Sequence, residues 1–340
     1  MTVAGRWNRV IERADRRQQA VPLVGFPLAV MRKYSDDRGG QFAALMSYYG
    51  FFSLFPLLFV LVTVLGIVLD NDAALQEDLV DSTLSSFPVI GEQVNASVRL
   101  PATGSWTVVV VATLVALYAG LAATDIAQEA LNTVFGIPIL ERRSFFVRKA
   151  RGLVTLIVFG AAIVASTALG SVVAWVGLGG IGTGVLSFAV TVCVNAGLVA
   201  ALLAVVPHER PGWTEIRSGA VVGGVLWATL QLVGAVYVGK VVSKASATYG
   251  VFAVVIGLLS WLYLLGLTLL MSAEVAATMG GRFWPRALIR DRPTRADLAA
   301  ADSVTAREAL IPGSVRSVGS PAEEAIDLPG VDHAIRPESE

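Results

Sequence analysis

Six long runs without a charged residue constrain the fold of this chain more than any other feature. The runs are Phe42–Leu69, Trp106–Thr124, Leu153–Val176, Ile181–Val206, Ser218–Gly239 and Val251–Ser272, each of at least 19 residues. A helix needs about 20 apolar residues to cross the hydrocarbon core of a bilayer. Apolar and polar residues do not alternate within the runs, which excludes transmembrane β-strands. The sequence therefore predicts an all-α, polytopic membrane helix bundle with six transmembrane helices.

The composition agrees with a protein that keeps much apolar surface away from water. The chain is 55% hydrophobic and 15% charged, whereas soluble domains carry about 25% charged residues. Its net charge is zero, so no strongly basic face is expected to bind nucleic acid. The single cysteine, Cys193, allows no intrachain disulfide and no cysteine-based zinc site. Because it lies inside an apolar run, we expect it to be a small buried hydrophobe.

The distribution of basic residues predicts the orientation, because Arg and Lys are enriched on cytoplasmic loops. Residues 1–41, residues 125–152 and the segment after the last run are rich in Arg and Lys, whereas 70–105 holds six acids and only Arg99. We therefore expect an external segment at 70–105 and both termini in the cytoplasm. The loop 239–250 is the exception, since it should be external yet is basic.

The same pattern predicts three regions. Residues 1–41 form a basic cytoplasmic segment, in which a short apolar stretch predicts a helix lying along the membrane interface. Residues 42–280 form the transmembrane domain. Residues 281–340 are predicted to be a cytoplasmic, mostly disordered tail, because the chain from about 291 is rich in Ala, Pro, Asp, Glu and Ser with no sustained apolar period. The first run lacks a small-residue cleavage site and is expected to remain as an anchor.

The first run contains a predicted kink. Pro56 lies near its middle, where the ring removes a backbone donor and presses on the preceding turn. The hydroxyl of Ser53 can serve nearby backbone groups, and Gly50 allows another helix to approach. The bend is either a consequence of helix packing or part of a path through the bundle.

A polar stripe ends the second run. Asp125, Gln128, Glu129 and Asn132 are spaced to share one helix face, near the predicted inner interface. Glu274, just past the sixth run, reaches the same level. These residues form either a structural belt of ion pairs or a polar vestibule that admits an ion or a head group.

Other polar residues lie deeper or on the opposite side. Asn195 and Gln231 fall near the midpoints of the fourth and fifth runs, where buried amides need partners that interhelical hydrogen bonds can supply. Small residues four apart in the fifth run predict close helix packing. Lys240 and Lys244, on the predicted external side, pair either with external carboxylates or with anionic head groups. The centres of the runs carry no charged residue, which argues against a buried proton relay.

No arrangement of residues points to catalysis. The two histidines, His208 and His333, lie far apart in the sequence, and no metal-binding, triad or phosphate-loop motif is present. We therefore expect a chain that is not an enzyme and that holds no cofactor and no metal ion.

Several segments, taken in order from about 40 to 280, resemble the YihY/BrkB family of bacterial inner-membrane proteins. These segments are AALMSYYGFFSLFPLLFVLVTVLG, ALYAGLAATDIAQEALNTVFGIP, RRSFFVRKARGL, LLAVVPHERPGWTEIRSGAVVGGVLWATLQL and SATYGVFAVVIGLLSWLYLLGLTLLMSAEVAA. The resemblance implies that several positions match residues that recur in the family: Ser53–Pro56, Asn132, Pro207, Tyr249–Gly250 and Glu274. In the turn before Pro207 the family usually has an aromatic residue, and this chain has none.

The resemblance suggests two functions. One is a transporter or flippase-like carrier of a lipid or another envelope amphiphile, with membrane lipids as partners. The alternative is a scaffold that does not transport and that docks envelope proteins through its tail and its external segment. Members of this family were once labelled ribonuclease BN, but a metal-dependent nuclease needs clustered ligands that two separated histidines do not provide.

Overall fold

Helices make up the regular structure of the described part of the chain. The computed structural model describes residues 15, 17–68, 106–142, 144–158, 180–208, 211–237, 251–287 and 293–308. The helices are α1 (Pro22–Asp36), α2 (Gly39–Val68), α3 (Trp106–Val134), α4 (145–158), α5 (Gly180–Val205), α6 (Trp213–Tyr237), α7 (Val251–Gly280) and α8 (Arg295–Glu308). A 3₁₀ turn at Ile139–Glu141 follows α3. The predicted all-α class is confirmed for these residues.

Four described helices are long and apolar enough to cross a membrane. They contain the segments Thr113–Val134, Gly184–Val205, Trp213–Gly234 and Val255–Gly280, which correspond to four of the six predicted spans. The backbone of α2 is helical for 30 residues, or about 45 Å, but its side chains are described only as far as Leu54. The run Leu153–Val176 extends outside the described residues, as does the segment 70–105. Six spans therefore stay a prediction.

Helix α7 lies at the centre of the bundle and packs against α1, α2, α3, α5 and α6. Its contacts with α2 run antiparallel: the hydroxyl of Ser47 donates to the carbonyl of Leu259 at 2.6 Å, and Phe51 packs with Leu258. These contacts hold α2 against α7 where α2 enters the predicted first span.

Close approaches through glycine join α6 to its two neighbours. A Cβ at Gly219 would lie 2.5 Å from the carbonyl oxygen of Ser272 in α7, and one at Gly224 would lie 2.7 Å from the carbonyl oxygen of Val192 in α5. Side chains at these positions would force the helices apart, as the small residues of this run predicted.

One end of the bundle collects the charged side chains, and we call it the charged end. Helices α3, α5 and α7 end there, and α2 and α6 begin there. Lys33, just before α2, reaches the carbonyl of Val134 at the end of α3 and a carboxylate near the end of α7. Arg151 in α4 donates to the carbonyl of Pro207, just after α5. The adjacent helices α3 and α4 are also antiparallel, because Gly152 lies beside Thr124 and Gly120 beside Leu156.

The terminal helices α1 and α8 pack on the charged end. In α1, Ala29 is fully buried whereas Leu23 is 87% exposed, so one face of the helix contacts the bundle. In α8, Ala296, Ala300 and Arg307 are buried. Residues 295–308 of the predicted tail are therefore a packed helix, because small alanines let it approach the bundle closely and Arg307 finds buried partners. Residues 309–340 lie outside the described residues.

Candidate functional site at the charged end

Four charged side chains meet inside the charged end and form what we call the buried ion network: Lys33, Asp37, Glu274 and Arg307. The Lys33 ammonium donates to Asp37 Oδ2 at 2.5 Å, to Glu274 Oε2 at 3.0 Å and to the Val134 carbonyl at 2.6 Å. These contacts use all three of its donors. Arg307 donates to Asp37 Oδ1 at 2.7 Å. The network therefore links α1, α7 and α8 and neutralises its own charge.

The network also completes the end of α3. The last carbonyl groups of a helix have no partner within the helix and carry a partial negative charge. Lys33 donates to the carbonyl of Val134, and Arg307 donates to that of Thr133. Two buried cations therefore provide hydrogen-bond partners and positive charge for these last carbonyl groups. One oxygen of Glu274, Oε1, makes no hydrogen bond within the described part of the chain, which leaves this carboxylate incompletely satisfied.

The predicted polar stripe of α3 forms a second polar group, which faces α4. The carboxylate of Asp125 accepts from Lys149 at 2.5 Å and lies 3.3 Å from Arg148 Nε, while Glu129 pairs with Arg142. Both carboxylates of the stripe are ion-paired. The structure thus favours the predicted belt of ion pairs for these residues.

The amides of the stripe hold the loops that follow α3 and α5. Gln128 donates to the carbonyl of Arg148 at 3.2 Å, and Asn132 Oδ1 accepts from the backbone N–H of His208 at 2.8 Å. A small cleft opens between these elements, which we call the Arg142–Arg148 cleft. It encloses about 30 Å³ and is lined by the polar side chains of Gln128, Glu129, Asn132, Arg142, Arg148 and His208.

Glu274 is more deeply buried than the sequence indicated. It lies level with the end of α3, since Lys33 contacts both Glu274 and the Val134 carbonyl, but α7 continues to Gly280 and places Glu274 in the core with no exposed surface. Its partner is Lys33 and not one of the Arg and Lys residues that follow the stripe. The longer helix explains the difference, since two further turns keep the carboxylate within the bundle.

The remaining predicted site residues have separate positions. Ser53 is buried and donates to the carbonyl of Gly50 at 2.8 Å, as predicted. Asn195 Nδ2 donates to Gln231 Oε1 at 3.1 Å, so the two amides supply each other with an interhelical partner between α5 and α6. The backbone at Pro56 is helical, but its side chain, like Lys240, Lys244 and Tyr249, lies outside the described residues.

Two further predictions can be compared with the structure. Cys193 is exposed, so the expectation of a buried thiol is wrong: its side chain points away from the neighbouring helices of the bundle. Among the described residues, no three His, Cys, Asp or Glu side chains form a group that could hold a metal ion.

Asp297 organises the turn that leads into α8, and the sequence analysis missed it, although Thr294 and Asp297 have the spacing of a capping box. Its carboxylate accepts from Arg286 Nε at 2.8 Å, from the Ala287 N–H at 2.8 Å and from the Thr294 N–H at 2.9 Å. Burial alone would raise the pKa of this carboxyl, but the hydrogen bonds from Arg286, Ala287 and Thr294 outweigh that effect and lower the pKa to about 2. The ionised carboxylate therefore holds α8 in place.

Comparison with known proteins places the chain in a family. The family model Virulence factor BrkB matches residues 30–297, a range that includes Lys33, Glu274 and Asp297 but not Arg307. An uncharacterized protein of Dickeya dadantii strain 3937, Dda3937_02003, is 24% identical over 280 residues, which cover 76% of this chain and 85% of that protein. Inner membrane protein YhjD of Escherichia coli K12 is 25% identical over 160 residues, which cover 45% of this chain and 48% of YhjD.

No solved structure matches the chain. The family match covers well over half of the 340 residues, and the described helices are apolar and long enough to cross a bilayer. The chain is therefore a membrane protein of the BrkB family.

Proposed function

We propose that this chain is a multi-pass carrier of a lipid or another envelope amphiphile in the plasma membrane. In this proposal it has six transmembrane helices, and both termini are cytoplasmic. The observation that supports it most is the buried ion network, which places four buried charged side chains at the charged end of the bundle.

The directions of the helices support the proposed topology. Helices α3, α5 and α7 run toward the charged end, whereas α2, α4 and α6 run away from it. The Arg- and Lys-rich segments before α2, around α4 and after α7 therefore gather at one end. Basic residues accumulate on the cytoplasmic side of membrane proteins, so this end would face the cytoplasm. The name of the relative YhjD, an inner membrane protein, agrees with this location.

The energetics of the network favour a closure that can open. Desolvation of buried ions offsets most of their attraction, so an apolar cluster of similar volume is often at least as stable. A static bundle gains little from burying Lys33, Asp37, Glu274 and Arg307 together. Ion pairs contributed by α1, α7 and α8 can instead separate as water enters, and transporters alternate between such closed and open ends.

The described helices suit an amphiphile better than a small ion. Helix α5 carries no charged residue, and α6 carries none after Arg217, so these two helices offer no charge to an ion at their centres. Toward the outside of the bundle, α3 presents large apolar side chains, with Leu114 60% and Tyr118 75% exposed. An amphiphile can keep its chains in the surrounding lipid while its head group passes polar side chains. The proposed role is not enzymatic.

Reconstitution of the purified full chain tests the carrier. Liposomes are prepared with fluorescent phosphatidylethanolamine or phosphatidylglycerol, and dithionite, which bleaches only the outer leaflet, reports how fast the label crosses. We expect crossing at least several times faster than in protein-free liposomes. Crossing at the protein-free rate for both lipids would contradict carriage of these lipids.

A matched pair of variants tests the role of the network. Glu274→Gln removes one buried charge with little change in shape, and we expect it to change the crossing rate. Glu215→Gln makes the same substitution at the charged end but outside the network, where Glu215 accepts from the N–H of Gly212 at the start of α6. Equal crossing rates for the two variants would show that the buried ion network has no part in moving the lipid.

A further inference from the structure

We propose that helix α1 lies with its outward face in an anionic lipid surface, the cytoplasmic leaflet around the bundle. This outward face consists of Leu23, Val24, Pro27 and Met31, which fall within about 100° of the helix circumference. Leu23 is 87%, Val24 is 49% and Met31 is 62% exposed. The four side chains form one apolar strip, and an apolar strip left open to water calls for a partner.

The bundle occupies the opposite side of α1. Gly25, Ala29 and Lys33 are buried on that side, and Lys33 belongs to the buried ion network. The packing of α1 on the bundle therefore leaves the outward face uncovered, and a partner for this face has to come from outside the bundle. A lipid surface there and the network within would hold α1 from two sides.

The position of α1 in the chain brings its outward face to the boundary of the bilayer. Helix α1 ends at Asp36 and α2 begins at Gly39. The first large hydrophobic residue of α2 that is exposed is Leu45, at 43%, about 9 Å along the helix from Gly39. An interfacial helix buries its apolar face about 5–10 Å into the boundary between head groups and acyl chains, so both apolar surfaces can meet the same leaflet.

Charge favours an anionic lipid as the partner. Residues 1–20 contain two acidic residues, Glu12 and Asp15, and five arginines: Arg6, Arg9, Arg13, Arg16 and Arg17. A basic segment beside an amphipathic helix is attracted to anionic lipids. A second copy of this chain would instead bring the same positive charge to the contact. The choice of leaflet rests on the proposed topology, whereas the lipid contact itself requires no carriage.

The single cysteine makes a site-specific fluorescent label practical. In a Cys193→Ala background of the full chain, Leu23→Cys and Met31→Cys place an NBD label on the outward face. Thr305→Cys is the matched control, since Thr305 is exposed on α8, which also packs on the charged end. The labelled proteins are placed in phosphatidylglycerol nanodiscs that contain doxyl phosphatidylcholine, whose nitroxide lies in the upper acyl chain. We expect at least threefold stronger quenching at 23 and 31 than at 305.

Two results would overturn the lipid contact. One is equal quenching at all three positions, which would place the outward face in water. The other is a blue-shifted emission at 23 without quenching, which would mean that a second copy or another protein covers the face. Because the readout is the position of α1 and not the crossing rate, failure of this contact is distinguishable from failure of the proposed carrier.

The lipid composition tests the electrostatic part. We expect the label at 23 to be quenched at least twofold more in phosphatidylglycerol than in phosphatidylcholine nanodiscs, and about 1 M salt to remove the difference. Arg17→Gln combined with Arg38→Gln, at exposed positions before and after α1, should reduce it. Arg295→Gln, at an exposed position that begins α8, should leave it unchanged. Equal quenching in the two lipids at low salt would overturn the preference for an anionic surface.

Discussion

The ammonium of Lys33 lies 3.0 Å from Glu274 Oε2 and joins two residues 241 positions apart in the chain. The lysine belongs to the helix before the predicted first span, and the glutamate belongs to the last two turns of α7. The Glu274 side chain has no exposed surface, and that of Lys33 is 7% exposed. In this closed arrangement neither charge reaches water if its partner is removed, so the pair holds the N-terminal helix on the bundle.

Lys33→Met should destabilise the folded chain strongly. The substitution leaves Glu274 without a cation and leaves Asp37 with Arg307 alone. Breaking a buried ion pair by removing one partner costs about 3–5 kcal/mol. Thermal unfolding of the detergent-solubilised protein, followed by loss of the monodisperse gel-filtration peak, should show a clearly lower midpoint.

The double variant Lys33→Met, Glu274→Leu supplies the control. It removes both partners and leaves the neutral pair of Asp37 and Arg307, so we expect it to recover much of the lost stability. Lys149→Met breaks a more exposed pair and should cost about 1 kcal/mol or less. A single Lys33→Met variant as stable as the wild type would contradict the buried network.

Two glycines predict opposite effects for the same substitution. A Cβ at Gly224 would lie 2.7 Å from the Val192 carbonyl and 2.8 Å from the Ala196 backbone nitrogen, whereas nothing lies within 4 Å at Gly197. Gly224→Ala should therefore push α5 and α6 apart and lower the unfolding midpoint. Gly197→Ala should raise it slightly, because alanine favours a helix over glycine by about 0.5–1 kcal/mol. Equal shifts would mean that α5 and α6 do not approach through Gly224.

Local sequence patterns predicted the parts of the site whose residues lie on one helix or on two consecutive helices. The spacing of Asp125, Gln128, Glu129 and Asn132 placed them on one face, and the structure brings that face to α4. Asn195 and Gln231 lie on consecutive helices near matching depths, so their hydrogen bond followed from the need to satisfy amides inside an apolar bundle.

The buried ion network could not be predicted in the same way. Its members come from α1, α7 and α8, and no periodicity relates residues that fold together from opposite ends of a chain. Helix α8 was missed because its sequence, RADLAAADSVTARE, has no large apolar stripe. It carries two local signals: Thr294 and Asp297 have the spacing of a capping box, and Ala296 and Ala300 are one turn apart on its buried face.

Docking of α8 should weaken in acid because of Asp297. Its folded-state pKa is about 2 and its ordinary value is 3.8, so the folded state binds the proton less readily. The stability it contributes is fully present above about pH 4 and is lost as the pH falls toward 2. Hydrogen exchange at 295–308, corrected for its intrinsic pH dependence, should rise over that window. In Asp297→Asn exchange should already be fast at neutral pH and change little in acid. A wild-type profile in that variant would assign the transition to another carboxylate.

Truncation distinguishes the structured part of the tail from the residues beyond it. A chain ending at Glu308 retains Asp297 and Arg307, and we expect it to have the same thermal unfolding midpoint as the full-length protein. A chain ending at Arg290 loses both, leaving Asp37 with Lys33 alone, and should melt markedly lower. Arg307→Met in the full chain should reproduce most of that loss. The 1–308 chain also separates the two functions: a carrier should still move lipid in liposomes and in cells, whereas a scaffold that docks partners through residues 309–340 should stay folded and lose its cellular role.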